Sequence, residues 1–116
     1  MESLWKGKAG PPEREVRLEI LRFGRDYLAC LGGGESHLGA VAWGGGGSLV
    51  DYPHKEGPIA RALAADLGQF LDAQVLVVAG LHFADLTKPG IQEVLTNARL
   101  ICQRFKEDWQ SAKTGS

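Results

Sequence analysis

The sequence predicts an α+β fold, a mainly antiparallel sheet of about five strands with two helices packed on one face. The first half of the chain is divided by glycines into short segments in which apolar and polar residues alternate, the period of a β-strand. Farther along, apolar residues recur every three or four positions in two segments, the period of a helix. A short continuous apolar run lies between these two segments and is typical of a strand covered on both faces. The predicted order is therefore β-β-β-β-α-β-α.

Four strands are predicted before the first helix. They cover residues 16–21, 27–31, 37–43 and 48–52. The tetrapeptide at 23–26 contains a glycine and is expected to turn the first two strands into a hairpin. The glycines at 32–34 are expected to break the second strand, and those at 44–47 to bend the chain into the fourth. Successive short strands separated by glycine favour an antiparallel meander.

Two amphipathic helices and one buried strand make up the second half. The apolar stripe of the first helix consists of Ile59, Leu63, Leu67 and Phe70. The apolar stripe of the second consists of Ile91, Leu95, Ala98, Ile101, Cys102 and Phe105. Thr87 is expected to cap the second helix, with Pro89 early in its first turn. The apolar run at 74–79 is the predicted strand between the helices.

Length and charge limit the classes of function. Residues 13–110 are predicted to form a single domain, preceded by a flexible arm at 1–12 and followed by a disordered tail at 111–116. A formal net charge of -1 gives no case for binding to nucleic acid or to a membrane surface. The first residues lack the apolar stretch of a secretory signal, so a cytoplasmic location with reduced cysteines is expected.

All three histidines lie beside glycines in segments predicted to be non-helical. His37 follows the glycines at 32–34, His54 precedes the first helix, and His82 follows Gly80. Imidazole titrates near neutral pH and serves as a base, a metal ligand or a phosphate partner. Glycine lets a ligand approach the backbone closely. Three such segments in one small chain indicate a single convergent site.

The first two motifs also have plain structural explanations. The glycines at 32–34 either form an anion nest with His37 or belong to an ordinary hairpin loop, and the glycines alone favour the loop. His54 and Lys55 precede a helix N-terminus, where free amides and the helix dipole favour a bound anion. A solvated loop that merely starts the helix explains the same residues equally well.

The third motif leaves two alternatives open as well. His82 follows the most buried strand, and Asp85 either orients its imidazole or simply starts the next turn. Three neutral imidazoles with an open position form a known geometry for catalytic zinc. No two of these histidines have the short spacing typical of metal ligands, which disfavours a metal site.

The three motifs in order resemble a known family. They read Gly33-Gly34 followed by His37-Leu38-Gly39-Ala40-Val41, then His54-Lys55-Glu56, then Gly80-Leu81-His82. This pattern is similar to the LpdD-like prenylated-flavin chaperones, small accessory proteins encoded beside UbiD-type decarboxylases and UbiX-type flavin prenyltransferases. The resemblance extends from about Leu28 to Phe105. It implies a protein without turnover chemistry that binds prenylated FMN and carries or matures it for the decarboxylase, with both enzymes as partners.

The resemblance also implies a set of site residues. The predicted cofactor-binding residues are Gly33, Gly34, His37, Trp43, His54, Lys55 and His82. Lys55 and the amides of the two glycines are expected to hold the phosphate, and the three histidines to line the ring or its charged edge. Trp43, Tyr52 and Phe83 each lie near a histidine motif and are expected to supply ring contacts.

Two rival functions remain open from the residues alone. One is a small metal-dependent hydrolase or lyase that uses the three histidines. The other is a non-catalytic docking subunit whose glycine loops and Trp5 arm contact a decarboxylase. A sheet with both helices on one face leaves its other face exposed, and from this we expect a homodimer.

Overall fold

The computed structural model describes residues 1–35, 37–44, 57–84 and 86–114. The elements are β1 (Glu2–Ala9), β2 (Val16–Phe23), β3 (Asp26–Gly34), β4 (Ala40–Gly44), α1 (Gly57–Leu71), β5 (Val75–His82) and α2 (Lys88–Thr114). These described residues form one five-stranded, mostly antiparallel sheet and two helices, which confirms the predicted α+β class. The fourth strand predicted at 48–52 lies outside the described residues.

The strands are arranged in the order β1-β2-β3-β5-β4. β1, β2 and β3 are successive antiparallel neighbours, whereas β5 runs parallel to β3 and antiparallel to β4. The predicted meander is therefore wrong at β3 and β4, because β5 lies between them. The reason is that β5 is the most continuously apolar strand and is best accommodated inside the sheet, with a neighbour on each side.

The hairpin between β2 and β3 is confirmed. Its closing pair is Phe23 and Asp26, which leaves a two-residue turn of Gly24 and Arg25. Gly24 has a φ of +64°, and among the described non-glycine residues only Asp72 has a positive φ. Glycine at the first central position identifies a type II′ turn, whose twist matches that of the flanking strands.

The first residues of the chain form a strand and not the predicted flexible arm. β1 pairs with β2 over nearly its whole length and forms an edge of the sheet. The Trp5 ring packs edge-on against Phe105 with their centroids 5.5 Å apart, and its indole Nε1 donates a hydrogen bond of 2.9 Å to Asp108. β1 is thus attached to α2 through a tryptophan that stands among glycines and lysines in the sequence.

Both helices cover the same face of the sheet. α1 packs against β4 and β5, and α2 packs against β1 and β2. Ile59, Leu63 and Leu67 of α1 are buried as predicted, and so are Ala98, Ile101, Cys102 and Phe105 of α2. Thr87 accepts a 3.2 Å hydrogen bond from the Gly90 amide at its Oγ1, which confirms the predicted cap. α2 continues to Thr114, three residues beyond the start of the predicted tail.

Neither helix in the described part of the chain is both long enough and apolar enough to cross a membrane.

Candidate functional site on the open face of the sheet

The face of the sheet opposite the helices carries a cleft of about 740 Å³, called here the open-face cleft. Its floor is made by Arg17, Glu19, Cys30, Gly32, Val78 and Gly80, with Lys6 and Lys8 on the β1 side and His37 and Leu38 on the β5 side. These strand residues alternate with those that point into the core. The cleft therefore crosses four strands of the sheet.

The floor of the open-face cleft is low because two glycines are neighbours there. Gly32 on β3 and Gly80 on β5 are partners in the parallel register, and the next pair along the same face is Cys30 and Val78. The glycine pair contributes no side chain, and the next pair contributes small apolar ones. The segment that contains His37 covers Gly80, so the part of this floor that a flat, mainly apolar group can approach closely consists of Gly32, Cys30 and Val78.

Gly80 also allows residues 37–39 to cross over β5. A Cβ added at Gly80 would lie 1.5 Å from the His37 carbonyl oxygen, so a larger residue at this position is incompatible with the observed crossing. The Gly39 amide donates a 2.9 Å hydrogen bond to the Ala79 carbonyl, which holds the crossing segment on the strand. The position of His37 therefore depends on the absence of a side chain at residue 80.

The crossing brings two of the three predicted histidines together. The rings of His37 and His82 meet edge-on, with centroids 5.6 Å apart and an angle of 79° between their planes. Both residues are exposed, so the alternative that His82 is a buried core residue is wrong. The Glu35 amide donates a 2.9 Å hydrogen bond to the His82 carbonyl and ties the two segments together.

The glycines before His37 remain part of a strand. β3 continues through Gly34, so the break predicted at 32–34 is wrong. Gly33 is paired with Val16 on one side and Leu81 on the other, which places its backbone within the sheet. Pairing on both sides overcomes the local preference of glycine for turns. The cofactor-binding role of Gly33 and Gly34 stays a prediction.

The aromatic candidates lie in different places. Trp43 is 41% exposed on β4, opposite Leu76, and belongs to the open face but lies beyond the cleft lining. Phe83 contacts the hydrophobic core, and its ring lies against Gly33 on the helix side of the sheet, away from the cleft. Three predicted site residues and one orienting residue lie outside the described part of the chain: Tyr52, His54, Lys55 and Asp85.

Sequence reasoning missed the cations and the thiol of the open-face cleft. Lys6 and Lys8 lie in the segment that the sequence predicts to be a flexible arm, because two lysines separated by a single residue do not by themselves indicate a strand. Cys30 is half-buried on the floor, where burial and then the charge of Glu19 raise the pKa of its thiol. A thiol with a raised pKa stays protonated at neutral pH and is a poor nucleophile.

The second cysteine lies away from the cleft, between the two helices. Burial, followed by the nearby Asp66 carboxylate, raises the pKa of the Cys102 thiol to about 12. Its Sγ is 3.7 Å from the Asp66 carboxylate, which also accepts hydrogen bonds from Lys106. Within the described ranges, no group of three or more His, Cys, Asp or Glu side chains is placed to hold a metal ion.

Comparison with known proteins identifies the family. No curated protein matches the chain. The model of the prenylated flavin chaperone LpdD-like domain matches residues 10–110, a range that begins just after β1 and includes most of α2. The match agrees with the resemblance carried by the three histidine motifs, two of which contribute to the site described above. The chain belongs to the prenylated flavin chaperone LpdD-like family.

Proposed function

We propose that this protein binds prenylated FMN in the open-face cleft and carries or matures it for a UbiD-type decarboxylase, without turnover chemistry of its own. One observation carries the proposal: the low floor at Gly32, Cys30 and Val78 lies beside the segment that crosses Gly80 and brings His37 against His82, in a chain of this family. The floor suits a flat ring, and the imidazoles suit its polar edge.

The size and composition of the open-face cleft support this ligand. A volume of about 740 Å³ lies within the range of small-molecule sites, roughly 300–1,000 Å³. A flavin combines a large, flat ring with a charged phosphate, and the cleft combines small apolar floor residues with charged walls. When bound, the flavin ring supplies the reactive chemistry, and the protein supplies binding, orientation and shielding.

The openness of the cleft supports a carrier rather than an enzyme. The sheet covers one side of a ring lying over Gly32, Cys30 and Val78, and leaves the other side accessible to a partner. Cys30, the thiol on the floor, has a raised pKa and stays protonated near neutral pH. Such a site holds a reactive ring without attacking it, and it can release the ring without unfolding.

The proposed partners are a UbiD-type decarboxylase, a UbiX-type flavin prenyltransferase and a second copy of the chain. Three apolar side chains of the open face support contact with another protein: Leu38, Trp43 and Leu76 are 53%, 41% and 38% exposed. A cytoplasmic location is part of the same proposal, since both cysteines are free thiols and such thiols persist in a reducing compartment.

The experiment that tests the function is a binding assay under anaerobic conditions. The purified protein is incubated with FMN or with prenylated FMN, and the absorbance retained after gel filtration is measured. We expect retention of the prenylated form over FMN. Retention of neither form would overturn the proposal, and stoichiometric zinc in protein purified without an affinity tag would favour the metal-dependent alternative.

Variants then test the predicted site residues. His37→Ala, His82→Ala and Lys55→Ala are expected to lower the retention of prenylated FMN at least tenfold if each residue contacts the ligand. Gln92→Ala, an exposed change on α2, is the matched control and is expected to retain the ligand like the wild type. Unchanged retention by all three variants would show that the site residues are assigned wrongly.

A further inference from the structure

Positively charged side chains form the β1–β2 side of the open-face cleft. Lys6 and Lys8 line the cleft from β1, and Arg17 lines it from β2. The two lysines point away from the helices, because they alternate with Trp5 and Ala9, which pack toward the core. The three cations therefore lie together on the β1–β2 side of the cleft that His37 also lines.

The register of β1 and β2 concentrates this charge. Lys8 is directly opposite Arg17, and like charges in this position destabilise a pair of strands. Glu15 relieves part of the repulsion, with carboxylate oxygens 3.9 Å from Lys8 Nζ and 3.3 Å from Arg17 Nη1. Lys6 is opposite Glu19. Among the described residues on this side of the cleft, three cations therefore face two carboxylates, in a chain whose net charge is -1.

The same row of residues connects this charge to the glycine floor. Lys8, Arg17, Gly32 and Gly80 are successive partners across β1, β2, β3 and β5. At about 4.8 Å per strand, the row spans roughly 14 Å from Lys8 to Gly80. An elongated ligand lying along this row would place a flat apolar part over Gly32, beside the segment that crosses Gly80, and an anionic end between the cations.

We propose that Lys8 and Arg17, assisted by Lys6, form a subsite for a phosphate monoester in the open-face cleft. The inference rests on the proposed function in one respect: the monoester is the terminal phosphate of the flavin ligand. A phosphate dianion accepts charge-assisted hydrogen bonds from both opposed cations and removes their repulsion. Both lysines precede residue 10, where the family match begins, so this part of the subsite lies outside the matched range.

This inference competes with the sequence prediction for the same phosphate. The prediction assigned it to Lys55 together with the amides of Gly33 and Gly34. Gly33 is paired within the sheet on both sides, so its backbone lies within the ladder. The two assignments differ in which lysine distinguishes a phosphorylated flavin from a dephosphorylated one.

The test compares prenylated FMN with its dephosphorylated counterpart, prepared with a phosphatase. Dissociation constants for both ligands are measured anaerobically for the wild type, Lys8→Ala, Lys8→Arg, Lys55→Ala and the control Arg25→Ala. Arg25 is an exposed cation in the β2–β3 turn, so its removal changes the net charge without touching the cleft wall. Inorganic phosphate is added as a competitor in a second series.

We expect the wild type to prefer the phosphorylated ligand at least tenfold, and Lys8→Ala to reduce this preference three- to tenfold. The effect is modest because Lys8 is largely exposed, and salt screens such contacts. Lys8→Arg is expected to restore the preference, and Arg25→Ala is expected to leave it unchanged. Inorganic phosphate is expected to weaken the binding of the phosphorylated ligand only. A preference lost in Lys55→Ala and kept in Lys8→Ala would overturn the inference.

A failure of flavin binding can be distinguished from a failure of the phosphate subsite. If neither flavin binds, the flavin assignment is wrong, and phenyl phosphate then tests the subsite by itself. In an NMR titration of the wild type, saturable shifts of the Lys8 and Arg17 amide resonances would support an anion subsite for another phosphate monoester. In Lys8→Ala the Arg17 resonance should then stay unshifted. The absence of such shifts in the wild type would overturn the subsite as well.

Discussion

Replacing Gly80 by alanine tests whether the backbone crossing positions the histidine pair. The new Cβ would lie 1.5 Å from the His37 carbonyl oxygen, so residues 37–39 must move by roughly 2 Å to reach ordinary contact distance. That movement strains the hydrogen bond from Gly39 to Ala79, worth about 1 kcal/mol, and adds an overpacking cost of about 1–3 kcal/mol. We expect the free energy of unfolding to fall by about 2–4 kcal/mol.

The assay combines urea denaturation with NMR of the imidazole rings. In Gly80→Ala we expect the nuclear Overhauser contact between His37 and His82 to disappear and the retention of prenylated FMN to fall at least tenfold. The control is Gly24→Ala, which introduces a side chain at a φ of +64° but into open space, at a cost of about 1–2 kcal/mol. It should keep both the ring contact and the ligand. A loss below about 1 kcal/mol in Gly80→Ala with the ring contact intact would refute the reasoning.

Three further predictions concern the packing of the helices. Phe105→Ala removes a fully buried ring and should lower the free energy of unfolding by about 3–5 kcal/mol in urea denaturation; a loss under 1 kcal/mol would contradict the described core. Trp5→Ala should cost about 2 kcal/mol by the same measurement, whereas a flexible arm would make it neutral. The native Cys102 thiol keeps its proton up to pH about 12 while the unfolded thiol loses it above its ordinary value of 9.0. The unfolded state then binds fewer protons, so stability should fall between these pH values, by at most about 1.4 kcal/mol per pH unit, and Cys102→Ala should lose this slope.

The parts of the fold that local rules determine could be predicted from the sequence. The turn at Gly24 follows from the need for a positive φ in a two-residue hairpin, and the cap at Thr87 follows from the unpaired amides of a helix start. The stripes of α1 and α2 follow from the helical period, and most of their residues are buried. In each case the signal and the structure it specifies lie within a few residues of one another.

The parts that depend on distant pairing could not be predicted. Gly7 within β1, and Gly10 and two prolines just after it, favour a flexible arm in the sequence. The attachment of β1 depends on Trp5 meeting Phe105, one hundred residues away in the chain. The predicted strand order is wrong for a similar reason, since β5 lies in the sheet between β3 and β4, which both precede it in the chain. The apolar sequence of β5 predicts that the strand is buried, but it does not predict which strands pair with it.

The candidate site depends on both kinds of information. The three histidine motifs are local and were identified from the sequence, yet only the parallel pairing of β3 with β5 places Gly32 beside Gly80 and brings His37 against His82. The pairing of β1 then adds Lys8 to the same row, at the opposite end of the cleft from the histidines. A ligand with a flat ring and a distant anionic group fits such a row better than a small, compact substrate does. For this reason the comparison of phosphorylated and dephosphorylated flavin tests the arrangement more directly than any single histidine variant.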